Sequence, residues 1–333
     1  MKRGNLTSTP HQKVFNSKTI FFLGLLLAAS GIVSPPVALV GGIAFGFTVE
    51  HPFMKESSSL AKLLLQASVV ALGFGMNLTQ VIHAGRSGFL YTAISISFAL
   101  VLGILFGKLL SVGGKSSFLI TAGTAICGGS AIAAIAPITD ANEEEISVSM
   151  GTVFLLNSLA LLIFPAIGGA VHLSQNQFGL WAALAIHDTS SVVGAAAKYG
   201  NQALAVATTV KLARALWIVP VSLLTAAYLR SFTLNRLEGH RPRKAEVKMP
   251  WFILLFCLAT VISTYVPRFA VQYGALSHLG KSGLTATLFL IGTSLSRRTL
   301  REVGVRPFVQ GVSLWIIVAT VSLLAIHYQW ISI

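Results

Sequence analysis

Charge is scarce in this 333-residue sequence, and acid is scarcer than base. Ten Asp and Glu stand against 24 Lys and Arg, and charged residues make up 10% of the chain. A soluble domain carries about a quarter, so the shortage excludes a soluble globular protein. Cysteine is nearly absent as well. Cys127 and Cys257 both fall in apolar stretches, which excludes a disulfide framework and a zinc-ligand pair. No Gly-rich phosphate loop or other nucleotide motif occurs, so a self-contained ATP-driven pump is excluded. Nothing in the spacing calls for a cofactor or a metal. The longest polar connection, near residues 230–249, is too short for a domain and reads as a linker.

What the chain has instead is apolar length. Hydrophobic residues make up 54% and the mean hydropathy is +0.77. Uncharged runs recur at 19–49, 63–82, 87–107, 116–139, 146–171, 215–229, 251–267, 282–296 and 307–326. A bilayer core of about 30 Å needs roughly 20 apolar residues per helix. Two further candidates, 178–199 and 202–230, carry charges inside an apolar pattern. The expected fold is an all-α polytopic membrane protein with ten or eleven transmembrane helices. The number is eleven if Pro35-Pro36 splits the first run into two short spans. The opening "KTIFFLGLLLAASG" has the basic flank and apolar middle of a signal peptide, but with so many spans after it, it reads as an uncleaved first helix.

The excess of base has a place. Lys and Arg cluster in the tail 1–18, in 230–249 and in 297–306. Without aromatic interleaving these are not a nucleic-acid surface; the positive-inside rule accounts for them. The division is then a cytoplasmic tail (1–18), a membrane stretch (19–229), a basic cytoplasmic linker (230–249) and a second membrane stretch (250–333). Strict alternation through eleven spans, with the N-terminus in the cytoplasm, puts all three basic clusters inside. It puts "DANEEE" (140–145) and the C-terminal end outside. A homo-oligomer stays open.

Two segments break the pattern of plain spans. "AICGGSAIAAIA" (125–136) and "AIHDTSSVVGAA" (185–196) match in spacing, with Ala-Ile opening both and Ser130 aligned with Ser190. A second echo pairs "GMNLTQVIHAG" (75–85) with "GTSLSRRTLREVG" (292–304). Internal repeats, inverted ones above all, mark secondary transporters. Alternation, however, gives the Ala-Ile pair the same orientation, which an inverted repeat does not allow.

Interrupted backbone survives at mid-membrane only where protein or water surrounds it. A break at Cys127-Gly128-Gly129 would free amides at the start of a half-helix, where the partial positive charge suits an anion. Ser130 adds a hydroxyl. Small residues also serve plain helix packing, and the second broken segment tips the balance toward a binding site. That segment contributes His187, Asp188, Thr189 and Ser190. Downstream, Lys211 and Arg214 lie three apart on one helix face, flanked by long apolar runs. Ionisable residues at this depth are paired or functional. Asp188 is expected to neutralise one cation and leave net positive charge for an anion. Asn77, Thr293 and Ser294, near helix ends, are candidates for a coupling ion, with ordinary capping as the competing reading. Asn157 reads as an interhelical hydrogen bond.

"TAGTAICGGSAIAAIAPI", "ISVSMGTVFLLNSLALLIFP", the H-x-x-S-x-V-V-G-A segment and "VKLAR" together resemble the YeiH-type family of bacterial membrane proteins, whose assigned role is sulfate export. The likeness runs from about Thr19 to the C-terminus. It implies a secondary transporter of the bacterial inner membrane with about ten helices, internal repeats and broken helices similar to those of sodium-coupled bile-acid-type carriers. Its marks fall on Cys127, Gly128, Gly129, Ser130, His187, Lys211 and Arg214. Three function classes fit the residues. The leading one is a transporter, and by the resemblance an exporter, of a small anion such as sulfate, sulfite or an organosulfonate. It would work by alternating access, coupled to H⁺ or Na⁺. An anion channel built on the same basic face, and an intramembrane hydrolase using Ser130 with His187 as base, are the alternatives.

Overall fold

The computed structural model describes residues 10–49, 53–234, 251–294 and 304–332. Among these the chain is helical, with no strand. It opens with α1 (Pro10–Ala29), α2 (Pro35–Thr48), α3 (Met54–Gly73) and the long α4 (Leu78–Leu109). The apolar run 63–82 is therefore not one span. Gly73 and Gly75 weaken the helix there, and Asn77 starts the next one: its Oδ1 accepts the Thr79 amide at 2.9 Å. The echo of this region in 292–304 falls mostly outside the described residues.

The broken segment at 125–136 is two short helices, α5 (Gly114–Ala125) and α6 (Gly129–Thr139). They do not continue one another across the bundle. Lys115 Nζ, at the start of α5, donates to the Asp140 carbonyl just past the end of α6. A Cβ placed on Gly123 would lie 3.0 Å from the Ile132 side chain. The pair is a helical hairpin with its tip at Ile126–Gly128. After α7 (Glu143–Ala170) comes a second such pair, α8 (Gln175–Ala185) and α9 (Thr189–Tyr199). Tyr199 donates its hydroxyl to the Leu173 carbonyl at 2.6 Å. Its ring stacks on Phe178 with centroids 3.8 Å apart, and the Gln202 amide reaches Gln175 Oε1 at 3.0 Å. Both ends of this hairpin also lie together. Each arm holds 11 or 12 residues, about 18 Å at 1.5 Å per residue, or roughly half a bilayer core.

The helix α7, with 28 residues, spans about 42 Å and separates the two hairpin mouths. They therefore enter from opposite ends of the bundle and meet tip to tip. This resolves the conflict over the Ala-Ile repeat: the matched segments are inverted because neither of them crosses. It also overturns the expected crossing of 116–139 that would separate Lys115 from "DANEEE". The run lies at the same end as Lys115, and it is the N-terminal cap of α7. Asn142 Oδ1 accepts the Glu145 amide at 2.8 Å, and Glu145 Oε2 accepts the Asn142 amide at 2.9 Å. The acids serve a helix start. The same reciprocal cap joins Ser174 and Gln177 at the start of α8.

The chain continues as α10 (Asn201–Ala215) and α11 (Ile218–Leu234), then α12 (Trp251–Tyr265), a 3₁₀ turn at Pro267–Phe269, α13 (Ala270–Ser294) and α14 (Val305–His327). Among the described residues four stretches are long and apolar enough to cross a membrane alone: Val81–Leu109, Glu143–Ala170, Asn201–Leu229 and Val305–His327. The helices α12 and α13 add a pair bent by 95°.

Packing sorts the helices into two bodies that do not follow chain order. The helices α1, α2, α3, α12 and α13 pack together, with a core of their own built on Phe21, Phe45, Ala61 and Phe289. Backbone approaches backbone closely here: a Cβ on Gly42 would meet the Phe289 carbonyl, and one on Gly292 the Leu39 carbonyl at 2.5 Å. The other body holds α4 to α11 and α14, with both hairpins inside it. The two bodies touch mainly where α9 meets α2 and α13. Gly194 sits there against Leu161, Leu288 and Pro35, a junction of apolar side chains. A hydrogen bond from Lys281 Nζ to Asn201 Oδ1, 3.0 Å long and exposed, also crosses between them.

The hairpins make a labelling prediction that eleven alternating spans do not share. In a chain with Cys127 and Cys257 replaced by Ala, single cysteines at Lys115 and Asn142 should react with an impermeant thiol reagent from one side of the membrane. A cysteine at Lys198, exposed near the mouth of the second hairpin, should react from the other. Lys115 and Asn142 labelling from opposite sides would mean that α5 and α6 cross.

Candidate functional site

The two tips come within contact of each other. A Cβ on Gly128 would lie 3.5 Å from Asp188 Cα and 3.6 Å from Asn157 Nδ2. Gly128 has φ +70° and ψ −129°, a backbone region that only glycine adopts without strain. This is the reason for a glycine at the turn. Gly129 is needed for a different reason, since any Cβ there would stand 2.8 Å from the Phe154 ring.

Asn157, in the middle of α7, holds the second tip in place. Its Oδ1 accepts the His187 amide at 3.0 Å and the Asp188 amide at 3.2 Å. Two N–H donors on one atom fix which end of the amide is oxygen, so Nδ2 faces the first tip, where it is buried without a partner. The sequence flagged Asn157 only as a helix-to-helix bond. An Asn inside "FLLNSLALL" was the available signal, but not that it braces the turn beside the site.

Lys211 and Arg214 lie directly behind the tips, both with no exposed surface. The pair was expected to face an anion; the structure places both on backbone. Arg214 Nε donates to the Ala125 carbonyl at 2.8 Å, Nη2 reaches the same oxygen, and Nη1 donates to the Leu184 carbonyl at 2.8 Å. Lys211 Nζ donates to the carbonyls of Ile186 at 2.7 Å, Ile126 at 3.3 Å and Ala183 at 3.4 Å. These are the unpaired carbonyls at the C-terminal ends of α5 and α8, which carry partial negative charge. One arginine and one lysine thus cap the inbound arms of both hairpins and tie them together.

The structure also corrects the expected partner of these cations. Asp188 pairs with neither. Its Oδ2 accepts the Ser190 amide at 2.9 Å, the Ser191 amide at 3.3 Å and the Ser190 hydroxyl, as the N-terminal cap of α9. Thr189 and Ser190 are the buried first residues of that helix. Among the described residues the two cations therefore have no carboxylate within ion-pair distance, and the positive field of the tips is answered by backbone carbonyls and one capping acid.

The remaining candidates divide. His187 is 1% exposed, and both ring nitrogens lack a hydrogen-bond partner. Cys127 is buried at the first tip, while Ser130 is exposed. No hydroxyl reaches the His187 ring, so a Ser130–His187 pair is not assembled. The amides of Gly129 and Ser130, the first of α6, have no backbone acceptor. Together with the partly exposed Asp188 they form the open side of the tips. Asn77, Thr293 and Ser294 are not brought to this place. Asn77 caps α4, and the two hydroxyls donate back to the Leu290 and Ile291 carbonyls of their own helix at 2.7 Å each. Sequence reasoning also missed two indoles that fasten α14 to the second hairpin. Trp315 Nε1 donates to the Ala185 carbonyl at 3.1 Å, and Trp181 Nε1 donates to the Ala319 carbonyl at 2.9 Å.

Residues 17–311 match the family described as conserved hypothetical protein 698. Among curated proteins, the chain is 48% identical over 315 residues to a UPF0324 membrane protein of Bdellovibrio bacteriovorus, covering 95% of each chain. It is 45% identical over 329 residues to a UPF0324 membrane protein of Bacteroides thetaiotaomicron, covering 94% of this chain and 96% of the relative. A UPF0324 membrane protein of Geobacter sulfurreducens is 46% identical over 310 residues, covering 93% and 96%.

Proposed function

The chain belongs to the conserved hypothetical protein 698 family of membrane proteins, the same family as the YeiH-type proteins that its motifs resemble, and on that premise we propose that it is a secondary active transporter of a small anion rather than an enzyme. The observation that carries this reading is the meeting of two opposed hairpin tips over Lys211 and Arg214, two buried cations without a carboxylate partner among the described residues. The cations cancel the negative ends of α5 and α8, which leaves the uncapped positive start of α6 facing the gap, while Asp188 caps that of α9. Free amides at Gly129 and Ser130 suit an oxyanion there. A sulfur oxyanion or organosulfonate is the proposed substrate class, and the bacterial inner membrane, with the N-terminus in the cytoplasm, the proposed location.

Alternating access follows from the two bodies. The hairpins belong to one of them, and their junction with the other is mostly apolar around Gly194. Sliding or rocking there would turn the tips from one end of the bundle to the other without breaking buried polar contacts. The test is counterflow of labelled sulfate, sulfite and taurine in proteoliposomes. Saturable exchange is expected with at least one of them. Asn157→Leu, which removes two hydrogen bonds worth about 1 kcal/mol each, should lower that exchange by roughly 10-fold or more. Conductance without saturable exchange would make the protein a channel.

A further inference from the structure

The three carbonyls around Lys211 Nζ come from both hairpins: Ile126 from the first, Ala183 and Ile186 from the second. Oxygen atoms from unwound backbone, converging on one point away from water, are the ligand set by which transporters hold a bare monovalent cation. Here a cation already stands at that point, and it is covalently attached to α10. A neutral amine has two N–H donors and an ammonium three, so three carbonyl acceptors call for the charged form. Arg214 spans the same two arms one turn further along, from Ala125 to Leu184. The tips are thus drawn together by cations belonging to the chain.

The geometry points to Lys211 as a built-in substitute for a coupling sodium ion: its ammonium occupies a carbonyl cage that would otherwise take Na⁺, and the carrier works without sodium. The inference rests on the transport reading of the tips and names the ion they do without. The sequence left Na⁺ and H⁺ both open, with Asn77, Thr293 and Ser294 as sites for an ion. Those three side chains are turned to local backbone, whereas the oxygens suited to a cation lie around Lys211.

Removing the side chain should open the cage to cations from solution. The experiment is thermal unfolding of the purified full-length protein in detergent, with NaCl or methylammonium chloride titrated against choline chloride at constant ionic strength. A ligand that binds only the folded state raises Tm saturably. The wild-type Tm should be the same in sodium and in choline. Lys211→Ala should melt lower in choline and recover several degrees, saturably, with Na⁺ or methylammonium. Lys211→Ser, which leaves the cage open and adds an oxygen, is the second variant and should behave alike. Saturable stabilisation of the wild type by Na⁺ would overturn the inference, and so would a folded Lys211 variant indifferent to every cation. If neither variant is recovered, the wild-type titration decides. No transported substrate enters these measurements, so a failed transport assay leaves the outcome intact and distinguishable.

Discussion

Arg214→Met is expected to lower the unfolding midpoint more than any other single change at the site. The guanidinium is fully buried and serves two carbonyls, of Ala125 and Leu184, on different hairpins. Methionine fills much of the same space and donates nothing. Each carbonyl left buried without a donor costs about 1–3 kcal/mol, so the two together predict a loss of roughly 2–6 kcal/mol. Arg214→Lys should restore only part of it, because a point ammonium does not reproduce a fork that reaches both oxygens at once. Melting curves of the two variants in detergent check the order: wild type, then Lys, then Met. A variant that keeps the wild-type midpoint but loses anion affinity would return Arg214 to the role first expected of it, a direct ligand.

Gly128→Ala should have the next largest effect, and on activity rather than on folding. The backbone at Gly128 lies at φ +70°, which costs an L-residue on the order of 1–3 kcal/mol. The added methyl would also stand in contact with Asp188 and Asn157 across the tips. The chain can relieve the backbone strain by rotating the turn, which moves the free amides of Gly129 and Ser130 off their places. Exchange of the best substrate in the counterflow assay is expected to fall 10-fold or more, by the factor of ten per 1.4 kcal/mol. The midpoint should move less than for Arg214→Met. Full exchange by Gly128→Ala would mean that the tip amides do not meet the substrate.

Much of this site is readable along the chain. Gly128-Gly129 inside an apolar run announces a break, "HDTSS" announces its counterpart, and Lys211 with Arg214 at a spacing of three announces a charged face. What the residues do not state is how the broken segments close. A hairpin with two arms of 11 or 12 residues and a single crossing helix have the same composition. Contacts between the two arms, such as Lys115–Asp140 and Phe178–Tyr199, decide between them. The same ambiguity put a crossing between Lys115 and "DANEEE", which lie at one end of the bundle. Charge counting treats acids as a sign of the outer face, but Asn142 and Glu145 are there to start a helix. The two bodies were equally hidden, because the contacts that define them, such as Gly42 on Phe289, join residues far apart along the chain. The two cations do lie beside the tips, but the partners they hold there are backbone carbonyls and not Asp188.

The missing ion pair at the tips has an electrical consequence. Lys211 and Arg214 against Asp188 leave the region with one net positive charge, fixed to the body that carries the hairpins. In the proposed cycle that charge travels with the empty carrier. A monovalent anion would bring the tips to neutrality, and a divalent one would reverse their sign. The membrane potential acts with about 2.3 kcal/mol per charge per 100 mV. Voltage therefore drives the empty return when the load is a monoanion and both half-cycles when the load is a dianion. Sulfate and a sulfonate would be moved by the same hairpins yet draw differently on the cell's electrical gradient.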